Sequence, residues 1–405
     1  MRRIPRWSDV QPYLRLAPRG GSAVDRRLAG AADVGDLRVI GKRHTPRAVF
    51  DYVDGAAGEE ISMRRNRAAF EAIELVPSVL RDVSTASPAT TILGRPSAMP
   101  LVFGPTGFTR LMHHEGERAV ARAARQAGIP YALSTVGTTT PEDLVAAVPG
   151  SDLWFQLYVW RDRGITRELV ARVREAGYST LILTADTPAA GARLRDVRSG
   201  FTIPPTMRPS TIADIATHPG WWFNLLTTEP LQFATPPGFH GTVGELIDSM
   251  FNPALTMDDV DWLRSEWPGS LVIKGILNPA DAIAVVERGA DAVIVSNHGG
   301  RQLDRVPTPL ELLPSILQAV DGRAEVLVDG GVRSGADVVA AVAMGARACL
   351  VGRAYLYGLM AGGERGVTRV ADLLRADLVR TMKLLGVSAV GELTPAHVRL
   401  HSRPV

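Results

Sequence analysis

The run Ser296–Asp304 (Ser-Asn-His-Gly-Gly-Arg-Gln-Leu-Asp) carries residue types suited to chemistry on a small acid. It follows the apolar segment Ala292–Val295, which predicts a buried strand. His298 and Arg301 therefore stand three residues apart just past a strand end, with two glycines between them. An imidazole can take a proton, and a guanidinium can bind a carboxylate. A plain polar loop remains the alternative at this point, because a His-x-x-Arg spacing alone does not separate the two interpretations.

Eight short apolar segments that alternate with helical patterns must position this loop. The strand candidates are 99–104, 131–135, 153–158, 179–185, 270–274, 291–296, 324–329 and 347–351. Helices are predicted over Glu115–Ala127, Thr166–Ala176, Pro279–Arg288 and Ser334–Met344, each followed by a glycine that favours a helix stop. Strands alternating with helices predict parallel βαβ units, and eight such units predict a (β/α)8 TIM barrel of the α/β class. Functional groups of such barrels lie at the carboxyl ends of the strands.

Two glycine-rich loops lie where these barrels bind phosphate. Asp329-Gly330-Gly331-Val332-Arg333-Ser334-Gly335 follows the seventh predicted strand, and Gly352-Arg353 follows the eighth. Glycine lets backbone N–H groups approach an anion, and arginine offers a forked donor. The loops after strands seven and eight are the usual phosphate site of a TIM barrel. Together they predict that a cofactor phosphate binds here.

The segment between the fourth and fifth predicted strands is abnormally long, at roughly 80 residues, and loops of that length are usually functional or disordered. Its aromatic run Trp221-Trp222-Phe223 is compatible with a membrane interface and equally with packing onto the barrel. The predicted organisation is a basic arm and helical cap over 1–98 with helices at Thr45–Asp54 and Glu59–Ala72, a barrel over 99–385 with an insertion at about 196–260, and a C-terminal tail over 386–405.

Composition excludes several classes of protein. A net charge of +3 on 405 residues gives no support for nucleic-acid binding. The single Cys349 excludes a disulfide framework and a cysteine metal cluster, and we expect it to be a buried strand residue. No apolar run reaches the roughly 18 residues of a spanning helix, and no signal-peptide pattern follows the first arginines. These features favour a cytoplasmic protein, although the eleven Lys/Arg against four Asp in residues 1–50 suit peripheral contact with the inner face of the membrane.

The motifs of this chain resemble those of the FMN-dependent α-hydroxy acid oxidases and dehydrogenases. The run Ser296–Asp304 resembles their catalytic signature, and the likeness spans about residues 35–400. The segments Lys42–Asp54, His218–Phe223 and Gly352–Tyr357 resemble the bacterial respiratory L-lactate dehydrogenases in particular. The resemblance implies bound FMN, a small 2-hydroxy acid substrate, quinone or oxygen as electron acceptor, and a homo-oligomer, commonly a tetramer.

The resemblance also implies a role for each site residue. The FMN contacts are Pro105, Thr106, Gly107, Ser134, Gln156, Thr184, Lys274, Ser296, Asp329, Gly330, Gly331, Arg333, Gly352 and Arg353. Among these, Lys274 lies near flavin N1, where a cation favours reduced flavin. The substrate carboxylate is bound by Arg193, Arg301 and Tyr52, and Tyr158 hydrogen-bonds the substrate oxygen. His298 is the base, and Asp186 orients its imidazole and favours the protonated form. Whether a hydride or a carbanion leaves the substrate stays open.

Three positions depart from the oxidase pattern. Gly107 replaces the alanine that is common in oxidases, which weakens the interpretation as an oxidase. Val136 and Ala190 are smaller than the residues of glycolate oxidases, so the pocket could admit more than a methyl side chain. We therefore predict an L-2-hydroxy acid dehydrogenase, with L-lactate as the expected substrate. The alternatives are a peroxide-producing oxidase, a mandelate-type enzyme and, further away, an FMN-barrel isomerase, a phosphate-binding lyase or a peptide-modifying flavoprotein.

Overall fold

Eight parallel strands close into a barrel, which confirms the predicted (β/α)8 fold. The computed structural model describes residues 4, 6–13, 21–200, 209–231 and 252–400. Its barrel strands are Leu101–Phe103, Tyr131–Ser134, Leu153–Leu157, Thr180–Thr184, Ser270–Ile276, Ala292–Val295, Glu325–Val328 and Cys349–Val351. Consecutive strands pair in parallel, and the eighth closes on the first with Cys349 opposite Leu101. Each predicted strand coincides with one of these to within two residues at either end.

Apolar side chains fill the inside of the barrel. Because successive residues of a strand face opposite sides, one set points inward and the other packs against the helices. Trp154, Ile182 and Leu327 belong to the fully buried inner cluster, whereas the neighbouring Phe155 belongs to the larger outer core. Ile92 joins the inner cluster from a hairpin, Thr90–Ile92 paired with Arg95–Ser97, that the sequence analysis did not identify. The barrel is therefore a packed core, and its free space lies at the carboxyl ends of the strands.

Helices connect the strands and surround the barrel. They span Thr109–Met112, Gly116–Ala127, Pro141–Ala147, Arg163–Glu175, Leu194–Ser199, Pro209–Ala216, Pro219–Leu226, Met257–Glu266, Pro279–Glu287, Pro309–Val320, Gly335–Ala343 and Arg353–Leu385. The last is interrupted at Gly362 and Gly363, whose backbone angles are not helical. The helix predicted over Thr166–Ala176 begins earlier, at Arg163, because the carboxylate of Asp162 accepts a hydrogen bond from Gly164 N at 2.7 Å and caps it.

Residues before the barrel form a helical cap. Its helices are Trp7–Val10, Ala23–Ala29, Val34–His44, Arg47–Asp54 and Ile61–Glu71. The helix predicted from Thr45 begins at Arg47, because Thr45 and Pro46 have extended backbone angles. The strand Ile73–Leu75 pairs antiparallel with Val398–Leu400, so residues that follow the long last helix return to the cap. The domain boundaries given in the sequence analysis stay a prediction.

The long insertion contains two described helices, Pro209–Ala216 and Pro219–Leu226, while 201–208 and 232–251 lie outside the described residues. The indole of Trp221 donates to the carbonyl of Leu111 at 2.8 Å and packs on the core. By contrast, Phe223 and Leu226 are 57% and 75% exposed. Of the two predicted alternatives, packing onto the barrel therefore applies to Trp221, whereas Phe223 and Leu226 face solvent. Among the described helices, none combines the length and apolarity needed to cross a membrane.

Candidate active site

A cavity of about 580 Å³ opens at the carboxyl ends of the barrel strands. This volume lies in the range of small-molecule and cofactor sites. Every predicted site residue lines the cavity except Asp186 and Ser296, and each of those two hydrogen-bonds to a lining residue. The fold thus brings together side chains that are separated by up to about 300 positions in the sequence, because strand ends converge at one face of a TIM barrel.

His298 and Asp186 form a pair at the centre of the site. His298 Nδ1 lies 3.1 Å from Asp186 Oδ1, so the carboxylate from the fourth strand orients the imidazole from the sixth. The histidine has a positive φ of 56°, which is uncommon outside glycine. Its backbone N–H donates to Ser296 Oγ at 3.0 Å, which holds the turn in this conformation. Such strained residues cluster at functional sites.

The electrostatics of the pair favour a neutral imidazole beside a charged carboxylate. Burial and the nearby charge of Lys274 lower the pKa of His298, and the attraction of Asp186 offsets only part of that effect. Burial acts to raise the pKa of Asp186, but its interaction with His298, which includes a hydrogen bond, and the charge of Lys274 outweigh burial, so the net pKa is lowered. The imidazole can therefore accept a proton at neutral pH, and the ionised carboxylate stabilises the imidazolium that results.

Two arginines and a tyrosine stand on one side of the cavity. The guanidinium carbons of Arg301 and Arg193 lie 5.0 Å and 5.7 Å from the centre of the Tyr52 ring. Burial and repulsion from Arg193 lower the pKa of Arg301 to about 9. The buried Arg193 Nε has no hydrogen-bond partner within the described part of the chain. Two like charges and a spare buried donor create a site that a small carboxylate would neutralise.

Lys274 lies near the carboxyl end of the fifth strand, Ser270–Ile276, and lines the cavity. Its Nζ donates to Ser296 Oγ at 2.9 Å and lies 3.3 Å from Asp329 Oδ2. Burial would lower the pKa of Lys274, but the carboxylates of Asp329 and Asp186 raise it above its usual value. The lysine is therefore a fixed cation in the wall of the cavity.

The loops after strands seven and eight form a cradle of backbone groups. Gly330 and Gly331 have φ values of 91° and 103°, and a Cβ on Gly331 would lie 2.6 Å from the carbonyl oxygen of Asn66. Only glycine fits there without displacing the cap. Arg333 lies over the Tyr357 ring at 5.6 Å. The Arg353 side chain donates to the carbonyls of Val53, Gly299 and Gly55, while its backbone begins the last helix.

The residues present fit the predicted FMN. Two buried polar atoms that belong to lining residues, Gln156 Nε2 and Asp329 Oδ1, have no hydrogen-bond partner among the described residues. Buried polar groups are normally satisfied, so these atoms indicate a polar ligand. Ser134 Oγ donates to Gln156 Oε1 at 2.8 Å, which directs the amide. The cradle and the helix N-terminus at Arg353 suit a terminal phosphate.

The three departures from the oxidase pattern all lie at this cavity. A Cβ on Gly107 would meet Val136 Cγ2 at 2.4 Å, so the glycine and the valine are sterically coupled. Val136, Ala190 and Gly107 are all lining residues.

Several lining residues escaped the sequence analysis, among them Met63, Asn66, Arg67 and Asp196. The first three come from the cap helix Ile61–Glu71, where helical periodicity does not indicate what the helix covers. Asn66 exchanges hydrogen bonds of 2.8 Å with Asn297 and so ties the cap to the His298 turn. Asp196 faces Arg301 and Arg193, and burial raises its pKa. Its position three residues after Arg193 is the signal that could have identified it.

Comparison with known proteins agrees with this geometry. Residues 41–400 match the model of a family described as FMN-dependent dehydrogenase. The chain is 54% identical over 397 residues to a putative L-lactate dehydrogenase of Mycobacterium tuberculosis, covering 98% of this chain and 96% of that protein. It is 43% identical to an L-lactate oxidase of Nostoc sp., covering 89% and 96%. A solved structure of the monotopic membrane protein (S)-mandelate dehydrogenase superposes with a TM-score of 0.88 at 37% identity, covering 92% of this chain and 100% of that one.

These matches confirm the resemblance inferred from the motifs, and with it FMN as the cofactor. A family match over most of the chain, identity well above 30% along nearly its whole length and an eight-stranded barrel with the expected cavity all agree. The chain belongs to the family of FMN-dependent dehydrogenases.

Proposed function

We propose that this enzyme oxidises L-lactate to pyruvate. The observation that carries the proposal is the arrangement of one cavity in which a neutral His298, paired with Asp186 at 3.1 Å, faces the same space as Arg193 and Arg301. A proton acceptor beside a carboxylate-binding pair is what a small 2-hydroxy acid requires. Relatives named L-lactate dehydrogenase and L-lactate oxidase support lactate as the acid.

The substrate carboxylate would bind between Arg193 and Arg301, with the Tyr52 hydroxyl as a further donor. The arginine pair is preorganised, because Arg301 Nη1 is already fixed to the carbonyls of Tyr52 and Gly55 at 2.7 and 3.0 Å. Nε and Nη2 of Arg301 can then donate hydrogen bonds to the substrate carboxylate. Binding an anion here relieves the repulsion that lowers the pKa of Arg301.

Proton removal is assigned to His298. Since Nδ1 is engaged by Asp186, Nε2 is the nitrogen that can receive the proton. Oxidation of the alcohol carbon removes two electrons and two protons, and FMN, when bound, accepts the electron pair. Tyr158 stays protonated because burial and the charge of Asp186 raise its pKa, so its hydroxyl can donate to the substrate oxygen.

The other predicted residues at the cavity would hold FMN. Gln156, Ser134, Thr184 and the Pro105–Gly107 turn would contact the ring, with Lys274 and Ser296 beside it. Asp329, whose Oδ1 is unpartnered within the described residues, would accept from the ribityl chain. The Gly330–Gly331 turn, Arg333 and the Gly352–Arg353 helix start would bind the phosphate.

Anaerobic titration of the yellow holoprotein with L-lactate tests the substrate. Bleaching of the flavin absorbance by L-lactate but not by D-lactate is expected. A protein that L-lactate leaves yellow but (S)-mandelate bleaches would instead act on an aromatic acid. The small Val136 and Ala190 in the cavity wall favour that second candidate, as does the likeness to (S)-mandelate dehydrogenase.

The acceptor is proposed to be a quinone reached by peripheral membrane contact, and the assembly a homo-oligomer such as a tetramer. The exposed Phe223 and Leu226 support membrane contact, as do the basic first 50 residues and the likeness to a monotopic membrane protein. Turnover with a quinone analogue should exceed turnover with air alone. Rapid peroxide formation with slow quinone reduction would favour an oxidase. Light scattering after size-exclusion chromatography measures how many chains the oligomer contains.

A further inference from the structure

A cluster of ion pairs behind the arginine pair joins two segments of the site that are far apart in sequence. Tyr52 lies on the cap helix Arg47–Asp54, and Arg193 lies at the start of Leu194–Ser199, after the fourth barrel strand. Both side chains must hold their positions for a carboxylate to be bound from both sides. The Arg193 guanidinium lies over the Tyr52 ring at 5.7 Å, and the hydrogen bonds that connect these two segments come from neighbouring residues.

Two arginine side chains donate to the carbonyl groups at the C-terminal end of the cap helix Arg47–Asp54. The last carbonyls of a helix lack partners within the helix and carry partial negative charge. Here the carbonyl of Val53 accepts from Arg353 at 3.0 Å, and that of Gly55 accepts from Arg353 and Arg301 at 2.7 and 3.0 Å. The main chain beside Tyr52 is therefore fixed to the barrel loops.

Asp54 anchors the same turn through its side chain. It is 5% exposed and accepts two hydrogen bonds from Arg38 at 2.6 and 2.8 Å and one from Tyr357 at 2.8 Å. A further bond of 2.8 Å comes from Arg195 Nη1. Burial alone would raise the pKa of Asp54, but these donors hold that pKa well below its usual value. The carboxylate is charged and fully engaged.

Arg195 is the member that reaches the second segment. It lies two residues after Arg193 on the short helix, and its other terminal nitrogen donates to Glu60 Oε2. Glu60 in turn accepts from Ala56 N at 3.1 Å, so Arg195 joins both ends of the turn 54–60. A backbone bond from Gly58 N to the carbonyl of Ala192, at 2.8 Å, runs beside it. The guanidinium thus connects the cap to the segment that carries Arg193.

We propose that Arg195, through Asp54 and Glu60, is a positioning residue that sets the spacing between Arg193 and Tyr52 and so determines affinity for the substrate carboxylate. The inference rests on the proposed function only in taking that arginine pair as an anion site. Asp54 is the buried member of these pairs, and burying a charged group is costly and best justified where it specifies one arrangement. Small misplacements of binding groups by distant changes can cost up to about a hundredfold.

The test compares Arg195→Ala with Arg195→Lys and with a control, Arg172→Ala. Arg172 makes a comparable pair with Glu142 at 2.9 Å on the outside of the barrel. We expect Arg195→Ala to weaken oxalate binding to the oxidised holoprotein by roughly tenfold to a hundredfold. KM for the substrate should rise in parallel, while the rate of flavin reduction at saturation falls less than about threefold. Arg195→Lys should recover part of the affinity, and Arg172→Ala should leave oxalate binding unchanged.

Oxalate affinity of Arg195→Ala within about twofold of the original protein would overturn the proposal, as would a fall in the saturated rate with oxalate binding unchanged. If Arg195→Ala does not fold, Glu60→Gln and Arg195→Lys decide the matter by the same two measurements. Oxalate needs no turnover, so failure of L-lactate as substrate and failure of the positioning role are separate outcomes.

Discussion

His298 combines the two properties that a proton acceptor needs, a lowered pKa and a fixed orientation. The lowered pKa arises mainly from burial, with a contribution from the charge of Lys274, and the orientation arises from Asp186 and Ser296. The same low-dielectric surroundings lower the pKa of Arg301 to about 9. At the residue scale, the side chains that line the cavity carry more positive than negative charge, which favours an anionic ligand.

Replacing His298 with alanine should abolish substrate oxidation while FMN stays bound. Loss of a general base typically costs on the order of 10²–10⁴ in rate. Stopped-flow measurement of anaerobic flavin reduction gives the rate, and absorbance after gel filtration gives the FMN content. Near-normal flavin reduction in His298→Ala would show that another group takes the proton.

The pH dependence of kcat/KM should follow the lowered pKa of His298. The neutral imidazole is the active form, so protonation at low pH removes activity. Because the pKa lies below the usual 6.5, activity should stay level as pH falls through that value and decline only at lower pH. Asp186 raises the pKa of His298, so Asp186→Asn should move the acidic limb to still lower pH, together with a lower rate. An acidic limb above pH 6.5 in the unaltered protein would contradict this assignment.

Exchanging Arg301 or Arg193 for lysine should weaken binding of oxalate and pyruvate. Lysine keeps the charge but loses the planar fork that matches a carboxylate. A loss of roughly tenfold or more is expected for either variant. Titration of the oxidised holoprotein, followed by the flavin spectrum, measures both affinities. If neither anion binds more weakly, the carboxylate is held elsewhere.

At the scale of elements, the loop after the seventh strand packs closely against the cap. Gly331 approaches the backbone of Asn66, and Asn66 in turn bonds Asn297 beside the histidine. The helix Ile61–Glu71 therefore supports both the Gly330–Gly331 turn and the turn that carries His298. The kink at Gly362 and Gly363 lies in the long helix that begins at this cradle.

Gly331→Ala should impair FMN binding. The added Cβ would lie 2.6 Å from Asn66 O on a backbone with φ of 103°, so the cradle must shift. We expect FMN affinity to fall by roughly tenfold or more, measured by reconstitution of the apoprotein. Gly150→Ala is the control, because Gly150 also has a positive φ, of 76°, but open space around its Cβ. It should cost about 1–2 kcal/mol in free energy of unfolding and leave FMN affinity unchanged. Equal loss of FMN in both variants would point to strain alone.

At the scale of the whole molecule, one face combines the cavity, the cap and the described part of the insertion. Trp221 fixes its helix to Leu111, the neighbour of the lining residue Met112. Phe223 and Leu226 on the same helix stay exposed. Peripheral contact through these side chains would bring an acceptor in the membrane towards the active site.

The double variant Phe223→Ser/Leu226→Ser should bind anionic vesicles more weakly, by roughly tenfold, because two apolar side chains no longer enter the interface. Flotation with vesicles measures binding. Val79→Ser/Leu80→Ser is the control, since these two residues are even more exposed, at 78% and 102%, but lie in the cap. Equal weakening in both variants would place the contact elsewhere, and binding retained after deletion of 215–240 would shift it to residues 1–50.

The sequence by itself determined the barrel and the family, and it predicted most of the polar residues that line the cavity. Alternation of apolar and helical segments is a local property, and each strand end carries its polar residues next to it in sequence. His298, Lys274, Asp329 and Gln156 could therefore be identified without coordinates. Motif likeness then assigned expected roles to residues such as Arg193, whose neighbours in sequence do not reveal a partner.

Only the tertiary structure decided which side chains support these residues. Asn66, Arg195 and Asp54 act across separations of more than 100 positions, and no local pattern indicates that a polar residue on a helix will face a partner from a distant loop. The lowered pKa of His298 and the pKa of about 9 for Arg301 also arise from the tertiary structure, through burial and nearby charges. Burial and the distances between charged groups are defined only after the chain has folded, because both depend on which distant segments pack around a side chain.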